Sequence, residues 1–160
     1  MSTTIRTLGA PGDLGWVVMA HGEVYAREYG WDATFEALVL EIVAEFVAKR
    51  DRAGVEAWIA EVDGERAGTV FCMPGDDGEA KLRILLVDPR FRGHGVGRLL
   101  VDNCLAFARG AGYRRVVLWT NSVLVSARRI YETAGFGLVE EDPHHSFGHD
   151  LVGQTWALDL

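Results

Sequence analysis

The stretch Leu85-Leu86-Val87-Asp88-Pro89-Arg90-Phe91-Arg92-Gly93-His94-Gly95-Val96-Gly97 decides how this chain folds and what it can hold. It begins inside a nearly continuous apolar run, Leu82 to Val87, the pattern of a strand covered on both faces. Asp88-Pro89 ends that strand, since proline cannot donate to a ladder. From Gly95 onward Val96, Leu99, Leu100, Cys104, Phe107 and Ala108 fall at helical spacing until Gly110-Ala111-Gly112 stops them. A buried strand therefore ends, turns and enters a helix, and the turn suits an anion. Glycines at 93, 95 and 97 have no Cβ to block close approach and can take the positive φ that points successive N–H groups at one spot. The unpaired N–H groups and dipole of the new helix add to that positive end, with Arg92 and Arg98 around it.

Upstream, Ile5 to Leu8 reads as a short edge strand, and Pro11-Gly12-Asp13 gives turn and N-cap chemistry before a helix from Leu14 to Tyr29. Gly30-Trp31-Asp32 separates it from a second helix with Phe35, Leu38, Val39, Ile42, Val43, Phe46 and Val47 on one face. Residues 56 to 62 and Ala67 to Met73 form a hairpin about Asp63-Gly64. Downstream come a buried strand, Val116 to Trp119, and a helix through Ala127 and Ile130 that closes on Gly135. Two tail strands follow, Phe136 to Glu140 and Gln154 to Leu160, joined by a loop. The order β-α-α-β-β-β-α-β-α-β-β predicts an α/β (α+β) fold with a mixed sheet and helices on both faces, one domain over residues 1–160.

Hydrophobic residues at 49% and charged ones at 24% are the balance of a soluble globular protein. A net charge of −7 disfavours nucleic acid and anionic membrane as partners, since both are polyanions that recruit Lys and Arg. The exception is local: Lys81 to Arg98 carries +4, from Lys81, Arg83, Arg90, Arg92 and Arg98 against Asp88. Neither a leader-like start nor an apolar run long enough to cross a bilayer is found, so the expected location is the cytoplasm. Cys72 and Cys104 fall in apolar patterns, as small buried hydrophobes do.

Two other glycine-rich loops fail the comparison. A triphosphate-binding Walker loop needs Gly-Lys-Ser or Gly-Lys-Thr, which is absent. A dinucleotide site wants an acid about 20 residues on, at the end of the next strand; here that strand ends in Trp119-Thr120-Asn121. Arg92-x-x-Gly95-x-Gly97, preceded by Leu85-x-Val87-x-Pro89, resembles the acetyl-CoA motif of the GNAT acyltransferases. Ala127-Arg128-Arg129-Ile130-Tyr131-Glu132-Thr133-Ala134-Gly135-Phe136 resembles the last helix of that family. A narrower likeness, carried by Leu118 to Ser122 and His144 to Leu151, is to the acetyltransferase half of fusions that begin with a MarR-type DNA-binding domain. No helix-turn-helix segment fits before Ile5.

The resemblance implies a GNAT fold, acetyl-CoA as cosubstrate, no metal, and direct attack of an amine on the thioester without an acyl-enzyme. Arg92, Gly93, His94, Gly95, Val96 and Gly97 would hold the pyrophosphate with Arg98 nearby, and backbone groups of Leu85, Leu86 and Val87 would line the pantetheine arm. Relatives commonly carry asparagine where Leu124 stands, a contact that Asn121 or Ser126 can replace, with Arg128 completing the cofactor set. Tyr131 falls at the family's tyrosine and would protonate the departing thiolate, although a packed tyrosine explains it too.

The base is open. Many relatives place a glutamate early in the central strand, where this chain has Lys81-Leu82-Arg83. Glu23, His144, His145 and His149 are candidates, although a hydrogen-bonded loop role explains each histidine better and a solvated face explains Glu23 as well, and a water relay can replace them all. Tyr25, Tyr29, Trp31 and Phe35 lie where the family covers its acceptor, or pack helices together. Glu23, Glu28 and the run Glu140-Glu141-Asp142 favour a cationic acceptor unless they are merely a solvated face. The expected partners are a small-molecule amine and, by analogy, a second copy in a homodimer; a protein acceptor or a non-catalytic acyl-CoA sensor are the alternatives.

Overall fold

The computed structural model describes residues 2–160. The strands are β1 (Thr3–Thr7), β2 (Glu56–Val62), β3 (Glu65–Pro74), β4 (Glu79–Val87), β5 (Arg115–Asn121), β6 (Gly137–Ser146) and β7 (His149–Asp159). The helices are α1 (Asp13–Tyr29), α2 (Ala33–Lys49), α3 (Val96–Gly110) and α4 (Val125–Ala134), with one 3-10 turn at Pro89–Phe91. Their order is the one the periodicity predicts. All seven strands form one sheet, β1-β2-β3-β4-β5-β7-β6. Its neighbours run antiparallel except β4 and β5, which are parallel and joined through α3 as a crossover requires.

Helices cover both faces. On one side Leu100 and Cys104 of α3 and Tyr131 of α4 pack against Val70, Leu82, Val116 and Trp156 of the sheet. On the other, Val17 of α1 and Val39, Val43 and Phe46 of α2 pack against Ile59, Phe71 and Met73. Phe46 meets Phe71 edge to face at 5.0 Å, and both are fully buried. Burying each such side chain contributes about 2–3 kcal/mol.

Two local expectations change. Asp13 does not cap α1; Gly12 occupies that position at φ +89, and Asp13 is the first helical residue. Its buried carboxylate instead accepts N–H bonds from Gly9 and Ala10, at 2.9 and 2.8 Å, and ion pairs from Arg6 and Arg66 at 2.7 and 2.9 Å. A carboxylate with four donors is more useful gathering β1, its loop and β3 than capping one N–H. The second change is in the tail: no long loop joins the last strands. β6 and β7 run on to a two-residue turn at Phe147-Gly148, with φ of +57 and +86, so His144 to Asp150 pair as a hairpin. The polar sequence concealed this because β6 is exposed along almost its whole length and has no apolar alternation to read.

Among the described residues, no helix is long and apolar enough to cross a membrane.

The Arg6 guanidinium holds Asp13 well below the usual carboxylate range, aided by Gly9, Arg66 and Ala10 and opposed by burial. A depressed folded value means that its stabilisation is complete above the ordinary pKa near 4 and is lost as pH falls below it. Asp13→Asn should therefore cost about 2 kcal/mol at neutral pH, less than a fully buried pair because both arginines are partly solvated. Urea unfolding from pH 7 to pH 3 should show a steeper loss of stability in the wild type than in the variant.

Candidate active site

β4 and β5 pair only through Glu79 with Arg115, Ala80 with Val116 and Lys81 with Val117. Beyond these three rungs the strands part. The cause is in β4 itself: Ile84 sits at φ +46, a conformation β-branched residues avoid, and the β3–β4 register shifts nearby between Thr69 and Phe71. Such a bulge bends one strand out of its ladder, which leaves the β5-facing edge of Leu82–Val87 unpaired and opens a cleft. Two cavities enter that cleft from opposite sides and share Tyr25, Leu85, Leu124 and Ala127 as walls.

The first cavity, about 300 Å³, runs from Leu85, Leu86 and Val87 to the start of α3. Gly93 and Gly95 stand at φ +81 and +75, and a Cβ at either would meet nothing within 4 Å, so open space faces the turn. Leu99 N–H makes the first intrahelical bond of α3, to Gly95 O at 3.1 Å, and the amides before it follow the rule of helix starts in having no intrahelical acceptor. Gly97 has a different reason: a Cβ there would lie 2.6 Å from the Ile130 side chain, so this glycine lets α3 pack against α4. Arg92, Val96, Arg98 and Ser126 line the same cavity, whereas His94 is exposed on the turn and outside it. Arg92 is joined to Glu28 of α1 at 2.7 Å. These residues fit a pyrophosphate: unblocked amides, left-handed glycines and two guanidinium groups.

The second cavity, about 440 Å³, opens between α1, α2 and the diverging strands. Trp31 and Phe35 lie 4.9 Å apart edge to face, and Phe147 from the β6–β7 turn completes the group at 4.8 Å from Trp31 and 5.1 Å from Phe35. The turn is anchored by the Asp32 N–H donating to Phe147 O at 3.2 Å and by His149 Nε2 donating to Gly30 O at 3.0 Å. Asn121 also faces this cavity, where its Oδ1 accepts from His144 Nε2 at 2.8 Å. Arg128 lines neither cavity and donates to Ser122 O at 3.0 Å.

Tyr131 lies on the wall of the second cavity, close to where the two join, with 5% of its surface exposed. Burial, with smaller contributions from Tyr25 and Cys104, pushes its pKa far above 10, so it stays protonated at any working pH. Cys104 is likewise pushed up, by contact with Cys72 and by burial, and is no thiolate nucleophile.

A family model, Acetyltransferase (GNAT) family, matches residues 16–136. The chain belongs to the GNAT family. It is 40% identical over 84 residues to human N-acetyltransferase 8B, covering 49% of this chain and 37% of that protein. It is 36% identical over 102 residues to rat N-acetylaspartate synthetase, covering 63% and 33%. The chain thus spans about a third of the length of these curated relatives. Among solved structures, an N-acetyltransferase from Staphylococcus aureus Mu50 superposes with a TM-score of 0.82 at 16% identity, covering 99% of both chains. Salmonella typhimurium yncA, solved with its cofactor acetyl-CoA, gives 0.79 at 20% identity, covering 99% and 94%.

Within this GNAT fold the base candidates scatter. Glu23 is exposed on α1, His145 is exposed and paired with Asp150 at 2.8 Å, and His149 is spent on Gly30; none of them lines the cavity. His144 is likewise committed, to Asn121 and Ser146. The histidine that does line it is His21, on the buried face of α1. Its Nδ1–H donates to Val17 O at 2.7 Å, while Nε2, facing Ile84, is buried with no partner. In sequence it was one apolar-spaced residue among Val17, Ala20 and Val24, and nothing separated it from core filling.

Burial, against the pull of the Val17 and Ile84 carbonyls, lowers the His21 pKa to about 4. The ring is therefore neutral near pH 7. Because the unfolded chain protonates near 6.5 and the folded chain does not, stability present above pH 6.5 is lost progressively as pH falls toward 4, by up to about 3 kcal/mol. His21→Leu should flatten that part of the stability–pH curve, measured by urea unfolding between pH 7 and pH 4.5.

Proposed function

We propose that the chain is an acetyl-CoA-dependent N-acetyltransferase that acetylates the primary amine of a small molecule by direct attack in a ternary complex. The observation that carries this reading is the meeting of two cavities at the β4–β5 cleft, one built for an anion and one apolar, with the protonated Tyr131 hydroxyl beside the junction. The bound acetyl-CoA supplies an activated acyl carbon with a thiolate leaving group. Amides of the Gly93–Gly97 turn, with Arg92 and Arg98, would hold its pyrophosphate. The unpaired β4 edge at Leu85–Val87 would hold the pantetheine arm and direct an N–H at the thioester oxygen.

The chemistry then balances simply. The acceptor ammonium loses one proton to solvent, its nitrogen forms the new C–N bond, and the C–S bond breaks. The second amine proton leaves as Tyr131 gives its own to the sulfur, and Tyr131 is reprotonated through water. The relatives named N-acetylaspartate synthetase support an amino-acid-sized acceptor. The absence of a carboxylate from the acceptor cavity wall favours the second reading, an acyl-CoA sensor without turnover.

Two variants separate these readings. Tyr131→Phe should keep acetyl-CoA affinity in calorimetry yet lower kcat about 100-fold in a thiol-release assay, because the hydroxyl is needed only when the thiolate leaves. Gly95→Asp, tolerable at φ +75 for aspartate but placing a carboxylate in the anion's space, should abolish cofactor binding. Tight binding by a wild type that acetylates nothing in a broad amine screen would leave the sensor reading standing.

We also propose that the chain forms a homodimer across β6. That strand is the sheet's outer edge and exposes Leu138 and Val139 by 46% and 58%. Light scattering should give twice the chain mass.

A further inference from the structure

The charge on the acceptor cavity is the opposite of what the acidic surface suggested. Among its lining residues Lys81 and Arg83 carry the formal charge, both positive, and no carboxylate lines it. Glu23 and the Glu140–Asp142 run lie elsewhere on the exposed surface. The two cations stand two residues apart on β4 and so share the face that looks toward α2, where Arg83 pairs with Glu45 at 2.7 Å. Lys81, exposed and without an ion-pair partner among the described residues, is the free one. Its strand position matters: Lys81 and Val117 form the last rung before β4 and β5 separate, so the Lys81 backbone stands where the cleft opens, and its side chain, which runs beside Gly75, lines the cavity. Facing it are aromatic walls, Trp31, Phe35, Phe147 and Trp119. Trp119 is 53% exposed and lies flat over Gly153, where a Cβ would come within 2.9 Å of its indole. A tryptophan kept at a cavity mouth by a glycine beneath it is a recognition surface rather than core.

We propose that the acceptor is an amine that joins an apolar or aromatic body to a carboxylate, as an α-amino acid with a large apolar side chain does, with Lys81 receiving the carboxylate and the aromatic walls the side chain. This rests on the N-acetyltransferase reading and narrows its substrate. An anion brought into an apolar pocket without a counter-charge is strongly disfavoured, and Lys81 removes that penalty. A diamine or a lysine-like acceptor gains nothing, because its second cation would meet Lys81, which has no ion-pair partner among the described residues, and no carboxylate lines the cavity. A bare aromatic amine would fill the walls but leave Lys81 unsatisfied.

The test uses the full chain saturated with CoA, whose cavity tryptophans Trp31 and Trp119 report acceptor binding by fluorescence without turnover. L-phenylalanine, phenylethylamine and L-lysine amide are titrated in parallel, and the same three are assayed for acetyl transfer. Phenylalanine should bind about tenfold or more tightly than phenylethylamine, the scale of one well-placed charge contact, and L-lysine amide should bind weakest. Lys81→Glu, a surface change in an exposed side chain, should reverse the order of the first two. Equal affinity for phenylalanine and phenylethylamine, a preference for L-lysine amide, or an order unchanged in Lys81→Glu would overturn the proposal. Preferential binding of phenylalanine without any acetylation would sustain this specificity and sink the transferase reading; acetylation of all three amines alike would do the reverse.

Discussion

One strained residue governs the rest of the molecule. With Ile84 at φ +46, β4 cannot keep its parallel ladder with β5 beyond Lys81, and the sheet opens at its middle. An unbroken ladder there would fill the space with hydrogen bonds and leave no cleft. The left-handed conformation costs of the order of 1–3 kcal/mol at a β-branched residue. It is held in place by what surrounds it: antiparallel β3 on one edge of β4, α1 and α2 over one face and α3 over the other. The opening in turn exposes backbone groups of Leu82–Val87 that a ligand can use as a strand would.

The cleft has two chemically distinct ends because the helices on the two faces present different parts of themselves. α3 offers its start, where amides and glycine turns favour an anion, while α1, α2 and the connection between them offer Tyr25, Phe35 and Trp31 as apolar walls. Between them, burial is the largest influence on two titratable groups and pushes their pKa values in opposite senses. It keeps the Tyr131 hydroxyl protonated and the His21 ring neutral, since in each case the charged form is the one that a low-dielectric wall disfavours. A protonated phenol and a neutral imidazole thus stand on one cavity wall at the same pH.

The two ends are also coupled through contacts that are not themselves part of either wall. Arg92 on the anion turn reaches Glu28 near the end of α1, one turn from Tyr25 on the shared wall. The β6–β7 turn closes onto the α1–α2 connection through Phe147, His149 and Asp32. His144 and His149, two of the residues that the sequence suggested for chemistry, hydrogen-bond to Asn121 and to Gly30 and so help to fix this roof.

The sequence by itself determined the order of elements, the glycine-rich strand-to-helix turn and the position of Tyr131 in the last helix. Each depends on short-range signals: apolar period, glycines at alternate positions, and a tyrosine in a helix closed by Gly135. The Asp13 cluster, the long β6–β7 hairpin and the buried His21 were not legible, because local pattern cannot report a partner 53 residues away such as Arg66, a strand with no buried face, or one polar ring on an apolar stripe. The sign of the charge on the second cavity was decided only by the tertiary structure. Acids outnumber bases along the chain, 23 to 16, yet the bulge at Ile84 and the packing of α1 and α2 turn Lys81 and Arg83 toward the cavity and leave the carboxylates outside or paired.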